Sequence, residues 1–172
     1  MKEDRARWNA KFDGQERKEE PSPWVVTMCM AASGNRALDL AAGMGRNAAF
    51  LASKGFDVLA LDLADRAVHS LKARNIPTVF PVQADLDHYP LRPESFDLIV
   101  CCMFLERRLF PLIVESLKTG GIVLYETAME SDLPGLKQPS NRNYLLRTNE
   151  LLHMFFRLRI LSYQEVAVPE GS

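Results

Sequence analysis

From Arg36 onward, short and continuously apolar runs alternate with stretches in which apolar residues recur every three or four positions. Ala37 to Ala41 reads as a first strand, ended by Gly43-Met44-Gly45. Asn47 to Lys54 then reads as a helix, closed by Gly55, a residue suited to the left-handed position after a helix. Phe56 to Leu63 predicts a second strand, and Asp65 to Arg74 a second helix with Ala67, Val68 and Leu71 on one face. A third strand is expected over Thr78 to Gln83 and a fourth over Phe96 to Cys102. A helix over Leu109 to Lys118, stopped by Gly120-Gly121, leads to a fifth strand over Ile122 to Tyr125. Runs without polar alternation mark strands covered on both faces. Strands that alternate with helices imply right-handed crossovers, hence an α/β fold: a three-layer, doubly wound, mostly parallel sheet. Beyond it, Glu130 to Asn143 has prolines, a glycine and no period, and reads as a long loop. Thr148 is placed to cap a helix running to about Arg157, and Arg159 to Glu165 predicts a last strand.

In open parallel sheets, ligands bind outside the carboxyl ends of the strands, where strand order reverses. Gly43 and Gly45 let the first turn approach a ligand, and the helix after it presents free N–H groups suited to an anion. Asp62, ending strand two, suits a ribose diol; Asp85, ending strand three, suits an adenine amino group. Strand four ends at Cys101-Cys102-Met103 and strand five at Glu126-Thr127. The sum is a nucleoside site with an anionic tail. Two cofactors fit it. Gly43-x-Gly45-x-x-Ala48, with Asp62 17 residues after Gly45, matches the weak glycine pattern for a nicotinamide dinucleotide. Asp39 points the other way. A carboxylate inside the strand, four positions before Gly43, is costly to bury without a partner, and an ammonium-bearing tail would supply one.

Asp39-Leu-Ala-Ala-Gly-Met-Gly-Arg-Asn47 resembles the first motif of class I S-adenosylmethionine-dependent methyltransferases. Phe96-Asp97-Leu98-Ile99-Val100 resembles their fourth-strand motif, and Leu117-Lys118-Thr119-Gly120-Gly121 the segment before their fifth strand. Tyr144 to Leu152 is similar to a segment of the small tellurite-resistance-type members, and Trp8, Phe12 and Pro21-Ser22-Pro23-Trp24 are similar to their N-terminal lid. The resemblance implies a Rossmann-like methyltransferase fold with S-adenosylmethionine held by Asp39, Ala41, Gly43, Gly45, Arg46, Asn47, Asp62, Leu63, Asp85, Leu86, Cys102 and Met103. It implies one domain, with residues 1–24 as the lid segment, 25–166 as the core and 167–172 as a tail. Ala41 stands where the motif usually has glycine, which costs the turn some freedom. The family's C-terminal hairpin is expected to be incomplete. That predicts either a six-stranded monomer, with Arg159 to Glu165 beside strand five, or a homodimer built at that edge.

Composition narrows the rest. The chain has 172 residues, 47% of them hydrophobic, with 21 basic against 22 acidic side chains. A formal charge of -1 argues against nucleic acid or an anionic membrane as partner. Three cysteines outside any C-x-x-C pair, with no leader or spanning run, suggest reduced thiols in the cytoplasm. No His/Cys cluster has metal-ligand spacing. His69 and His88 read as surface residues and His153 as a packed one; Asp97, near its strand's start, reads as structural. The expected activity is methyl transfer to a small molecule, such as a metalloid oxyanion or a thiol. A non-catalytic binding module and a nicotinamide-dependent dehydrogenase are the alternatives. Catalytic residues are not named by the sequence.

Overall fold

The apolar runs assemble into one five-stranded, all-parallel sheet of order β3-β2-β1-β4-β5 in a computed structural model that describes residues 2–13, 20–133, 138–139 and 141–166. The strands are β1 (Arg36–Leu40), β2 (Asp57–Asp62), β3 (Val79–Gln83), β4 (Phe96–Cys102) and β5 (Leu117–Glu126). The helices are α1 (Lys2–Phe12), α2 (Pro23–Met28), α3 (Arg46–Ser53), α4 (Asp65–Lys72), α5 (Leu109–Ser116) and α6 (Glu150–Met154). The chain winds outward from β1 through β2 to β3, then returns to lay β4 on the other side of β1. Strand order therefore reverses between β1 and β4, which pair from Ala37↔Leu98 to Leu40↔Cys101.

Each face of the sheet carries its own core. On one, Leu38, Leu40, Ile99 and Cys101 pack with Phe110 and Ile113 of α5 and with Phe155. On the other, Ala37, Val58, Leu98 and Val100 meet Val25 of α2, Ala48 and Leu51 of α3 and Leu71 of α4. Because side chains alternate across a strand, Asp39 shares the second face with Ala37 and lies under α3. Asp97 is structural, as expected: it accepts from the Arg36 N–H at 2.9 Å and from Lys118 Nζ at 3.0 Å, at the amino end of the sheet.

Three expectations are corrected. First, α5 stops at Ser116 and β5 starts at once, because Leu117 pairs with Phe96 and is buried there. The ladder then jumps to Leu98↔Ile122, so Gly120-Gly121 lie in a bulge within the strand rather than closing the helix. Second, the late helix is only Glu150–Met154, led by Asn149 at φ 59° rather than capped by Thr148. Third, Arg159 to Glu165 is no strand. It leaves Ile160 and Leu161 exposed and turns back so that Glu165 accepts from the Asn149 N–H at 2.6 Å. Among the described residues, therefore, no sixth strand joins the sheet and β5 is an edge strand. The expected tail, 167–172, lies outside the described residues.

Candidate functional site

The site grows from two turns at the carboxyl edge. After β1 the backbone takes positive φ three times, at Ala41 (54°), Gly43 (55°) and Gly45 (80°). The side chain of Asp62, ending β2, then ties two turns together. One oxygen accepts from the Gly43 N–H at 2.7 Å and the other from the Ala64 N–H at 2.8 Å. Both oxygens keep a second lone pair for a ligand hydroxyl. Burial pushes this carboxyl above its ordinary range, and the backbone N–H groups oppose that shift.

Asp39 is 1% exposed, and its Oδ2 has no hydrogen-bond partner among the described residues. A backbone hydrogen bond from Ala48 serves the carboxylate. Burial first, and the nearby Asp62 charge second, push its pKa up to about 7. A buried carboxylate with an unmet acceptor beside a second carboxylate is a ready counter-ion for a cation. These residues fit an ammonium-bearing tail and would repel a pyrophosphate.

The two glycines have different reasons for being glycine. A Cβ on Gly45 would lie 2.2 Å from Leu71 Cδ1, so the Leu71 side chain can sit against this turn only because the Cβ is absent. A Cβ on Gly43 would instead reach the Phe12 ring at 3.5 Å. Thus Gly43 lies beneath α1, whereas at Gly45 the Leu71 side chain occupies the space a Cβ would need.

The remaining sequence-derived residues divide. Arg46 donates to the Glu20 carbonyl at 3.2 Å, and buried Asn47 accepts from the Ser22 N–H at 2.9 Å. Leu63 is half-buried at the end of β2, next to Asp62. Cys102 and Met103 end β4, beside β1; Met103 takes φ 57° and is 61% exposed. Burial, with Asp39 and Glu126 nearby, pushes the Cys102 thiol far up, and burial pushes Cys101 up to about 12, so both stay protonated. At the end of β3, Asp85 accepts from the Asp87 N–H at 3.1 Å and lies 3.3 Å from His88 Nδ1, serving its own turn. Leu86 packs into the core cluster. His69 and His88 are exposed as expected. His153 is exposed too, contrary to its packed reading, because Phe155 alone of its aromatic neighbours turns inward.

The partners of Ser22 and Arg107 escaped the sequence reading. Ser22 is 1% exposed; its hydroxyl donates to the Glu126 carboxylate and accepts from the Trp24 N–H at 3.2 Å. The Pro-Ser-Pro segment is thus a strap from α3 to the end of β5. Its signal was a serine N-cap followed by proline at the first helical position. Arg107 grips Glu150 through Nε (2.5 Å) and Nη2 (2.9 Å) and donates to the carbonyls of Asn143 and Leu145, each at 2.9 Å. No local pattern announces this, because its partners lie more than thirty residues away. Among the described residues no cluster could hold a metal ion, and no helix is long and apolar enough to cross a membrane.

Comparison with known proteins agrees with this geometry. Residues 37–121 match the family model described as a methyltransferase domain. The chain is 28% identical over 151 residues to a probable S-adenosyl-L-methionine-dependent methyltransferase, TehB, of Haemophilus influenzae, covering 82% of this chain and 52% of that protein. It therefore spans about half the length of that relative. The crystal structure of Haemophilus influenzae TehB superposes with a TM-score of 0.67 at 24% identity, over 94% of this chain and 58% of that one. A SAM-dependent methyltransferase from Aquifex aeolicus has the same fold, with a TM-score of 0.64 at 16% identity, over 87% and 85% of the two chains.

Proposed function

The chain belongs to the class I S-adenosylmethionine-dependent methyltransferases, and on that premise we propose that it moves a methyl group from S-adenosylmethionine to a small-molecule acceptor. The observation that carries the reading is Asp39: a buried carboxylate at the switch point whose unmet oxygen suits the ammonium of a methionine tail. In this reading Asp62 accepts from the ribose diol and the turn from Ala41 to Asn47 surrounds the tail. Leu63 and Met103 line the nucleoside, and Asp85 stands on its adenine side. Residues 25–166 act as one core domain, with the N-terminal segment as its cover.

Bound there, the cofactor supplies a methyl group already activated on a sulfonium. It would offer that carbon to the lone pair of an acceptor, with the carbon–sulfur bonding pair left on sulfur. Little chemistry then falls to the protein beyond alignment and exclusion of water. α1 and the Pro21–Pro23 strap are suited to both. Cys101 and Cys102 are protonated and all three histidines are exposed, so the residues offer no evident general base. That favours an acceptor arriving with its lone pair free, a thiolate or a metalloid oxyanion.

The test is production of S-adenosylhomocysteine from S-adenosylmethionine with a panel of thiols, metalloid oxyanions and small amines. Turnover with a thiol or oxyanion is expected. Turnover confined to macromolecular acceptors, or none with any acceptor, would overturn the reading.

A further inference from the structure

α1 is held on two sides, by side chains that leave the helix two residues apart. On the β2 side, the Asn9 amide donates to the Asp65 carboxylate and accepts from the Arg66 N–H at 3.3 Å, while Arg66 pairs with Asp13. On the other side, Arg7 Nη2 donates to the Tyr144 hydroxyl at 2.7 Å, and its guanidinium carbon lies 5.6 Å from the Tyr144 ring centroid. At the end of the helix Phe12 sits over Gly43. Tyr144 is itself held in place. Its neighbours Asn143 and Leu145 give their carbonyls to Arg107, whose guanidinium is locked by both oxygens of Glu150. Beside it lies a cleft of about 360 Å³ lined by Leu105, Glu106, Arg107, Arg108, Asn141, Asn143 and Tyr144.

We propose that Tyr144 is a positioning residue, the latch that holds α1 down over the cofactor turn, and that Arg107 sets it. Two loops far apart in sequence then act as one unit. The cleft shares its wall with the latch, so a molecule seated there touches the residue that holds the cover. Release of the cofactor product requires the Arg7–Tyr144 contact to break, whereas the Asn9–Asp65 side can remain as a hinge. The inference rests on the cofactor assignment above only for its second half. That α1 is latched by Tyr144 is a statement about the chain alone.

The experiment takes the full chain with Tyr144→Phe, which removes the hydroxyl and keeps the ring, and Tyr144→Ala, which removes both. Amide exchange over residues 2–12 is measured without ligand. The dissociation rate of S-adenosylhomocysteine is followed by tryptophan fluorescence, since Trp8 lies in α1. A charge-assisted hydrogen bond at an exposed site supports an increase of roughly three- to tenfold in exchange for Tyr144→Phe, and more for Tyr144→Ala. Dissociation should quicken by a similar factor, with the thermal midpoint of Tyr144→Phe unchanged. Unaltered exchange in both variants overturns the latch. Faster exchange with an unaltered dissociation rate overturns its control of product release. If the parent chain binds no S-adenosylhomocysteine, the cofactor assignment fails and exchange alone decides the latch.

Discussion

Replacing Asp39 by asparagine tests the central electrostatic feature of this fold without changing the shape of the side chain. In the folded protein the Asp39 carboxyl titrates near 7, against an ordinary value of 3.8. Between those values the folded state holds a proton that the unfolded chain has released. Stability from this group is therefore present at low pH and is lost as pH rises toward 7. The full difference corresponds to about 4 kcal/mol, of which roughly 2–3 kcal/mol falls between pH 5 and 8. A carboxamide cannot ionise, so the Asp39→Asn variant should lack that loss. Asp62, also raised by burial, stays in both proteins and leaves a common slope. Glu106 and Glu150, held low first by Arg108 and Arg107 respectively, lose their stabilising effect only as pH falls below the ordinary carboxylate range. They do not disturb the window. Urea unfolding of parent and variant at pH 5, 6, 7 and 8 gives the comparison. The difference in unfolding free energy should swing toward the variant by roughly 2–3 kcal/mol across the series. Parallel pH profiles would refute the assignment of a buried Asp39 with an unmet oxygen.

Two other substitutions read the same turn. Ala41 occupies the left-handed region at φ 54°, so Ala41→Gly relieves about 1–2 kcal/mol of strain against about 0.4–1 kcal/mol of added chain entropy. A thermal midpoint raised by about 1–4 °C is expected in scanning calorimetry, and a lowered midpoint would show that the turn is not strained. Gly45→Ala places a methyl 2.2 Å from Leu71 Cδ1 at φ 80°, so destabilisation of about 2–4 kcal/mol is expected by urea unfolding. Shortening Leu71 to alanine should remove part of that penalty by making room; strict additivity of the two changes would argue against the contact.

Much of the fold was legible because its signals are local. The continuous apolar runs of β1, β2 and β4 could only be strands buried on both faces, and the register follows from their pairing. Asp39 stood out since a carboxylate inside such a run demands a reason. What could not be read depends on contacts distant in sequence. The length of β5 was set by Leu117 finding Phe96, which outweighed the two glycines as a stop signal. The late segment from Arg159 to Glu165 was expected as a last strand. In the fold it spends its polar contacts on Asn149 instead of on β5. Arg107, Tyr144 and Ser22 act through partners between 25 and 137 residues away, beyond any spacing rule. At Gly45 the fold adds a reason that the motif alone did not carry: Leu71 leaves no room for a side chain there.

The most direct test of the cofactor assignment is calorimetric titration of the full chain with S-adenosylhomocysteine and, separately, with NAD, in buffers of different protonation enthalpy. An ammonium group reaching Asp39 favours its ionised form, so binding must expel the proton that the carboxyl holds below pH 7. The account predicts saturable one-to-one binding of S-adenosylhomocysteine, with close to one proton released at about pH 6 and almost none at about pH 8. Binding of NAD in its place, no binding of either compound, or S-adenosylhomocysteine binding without proton release at pH 6 would contradict it.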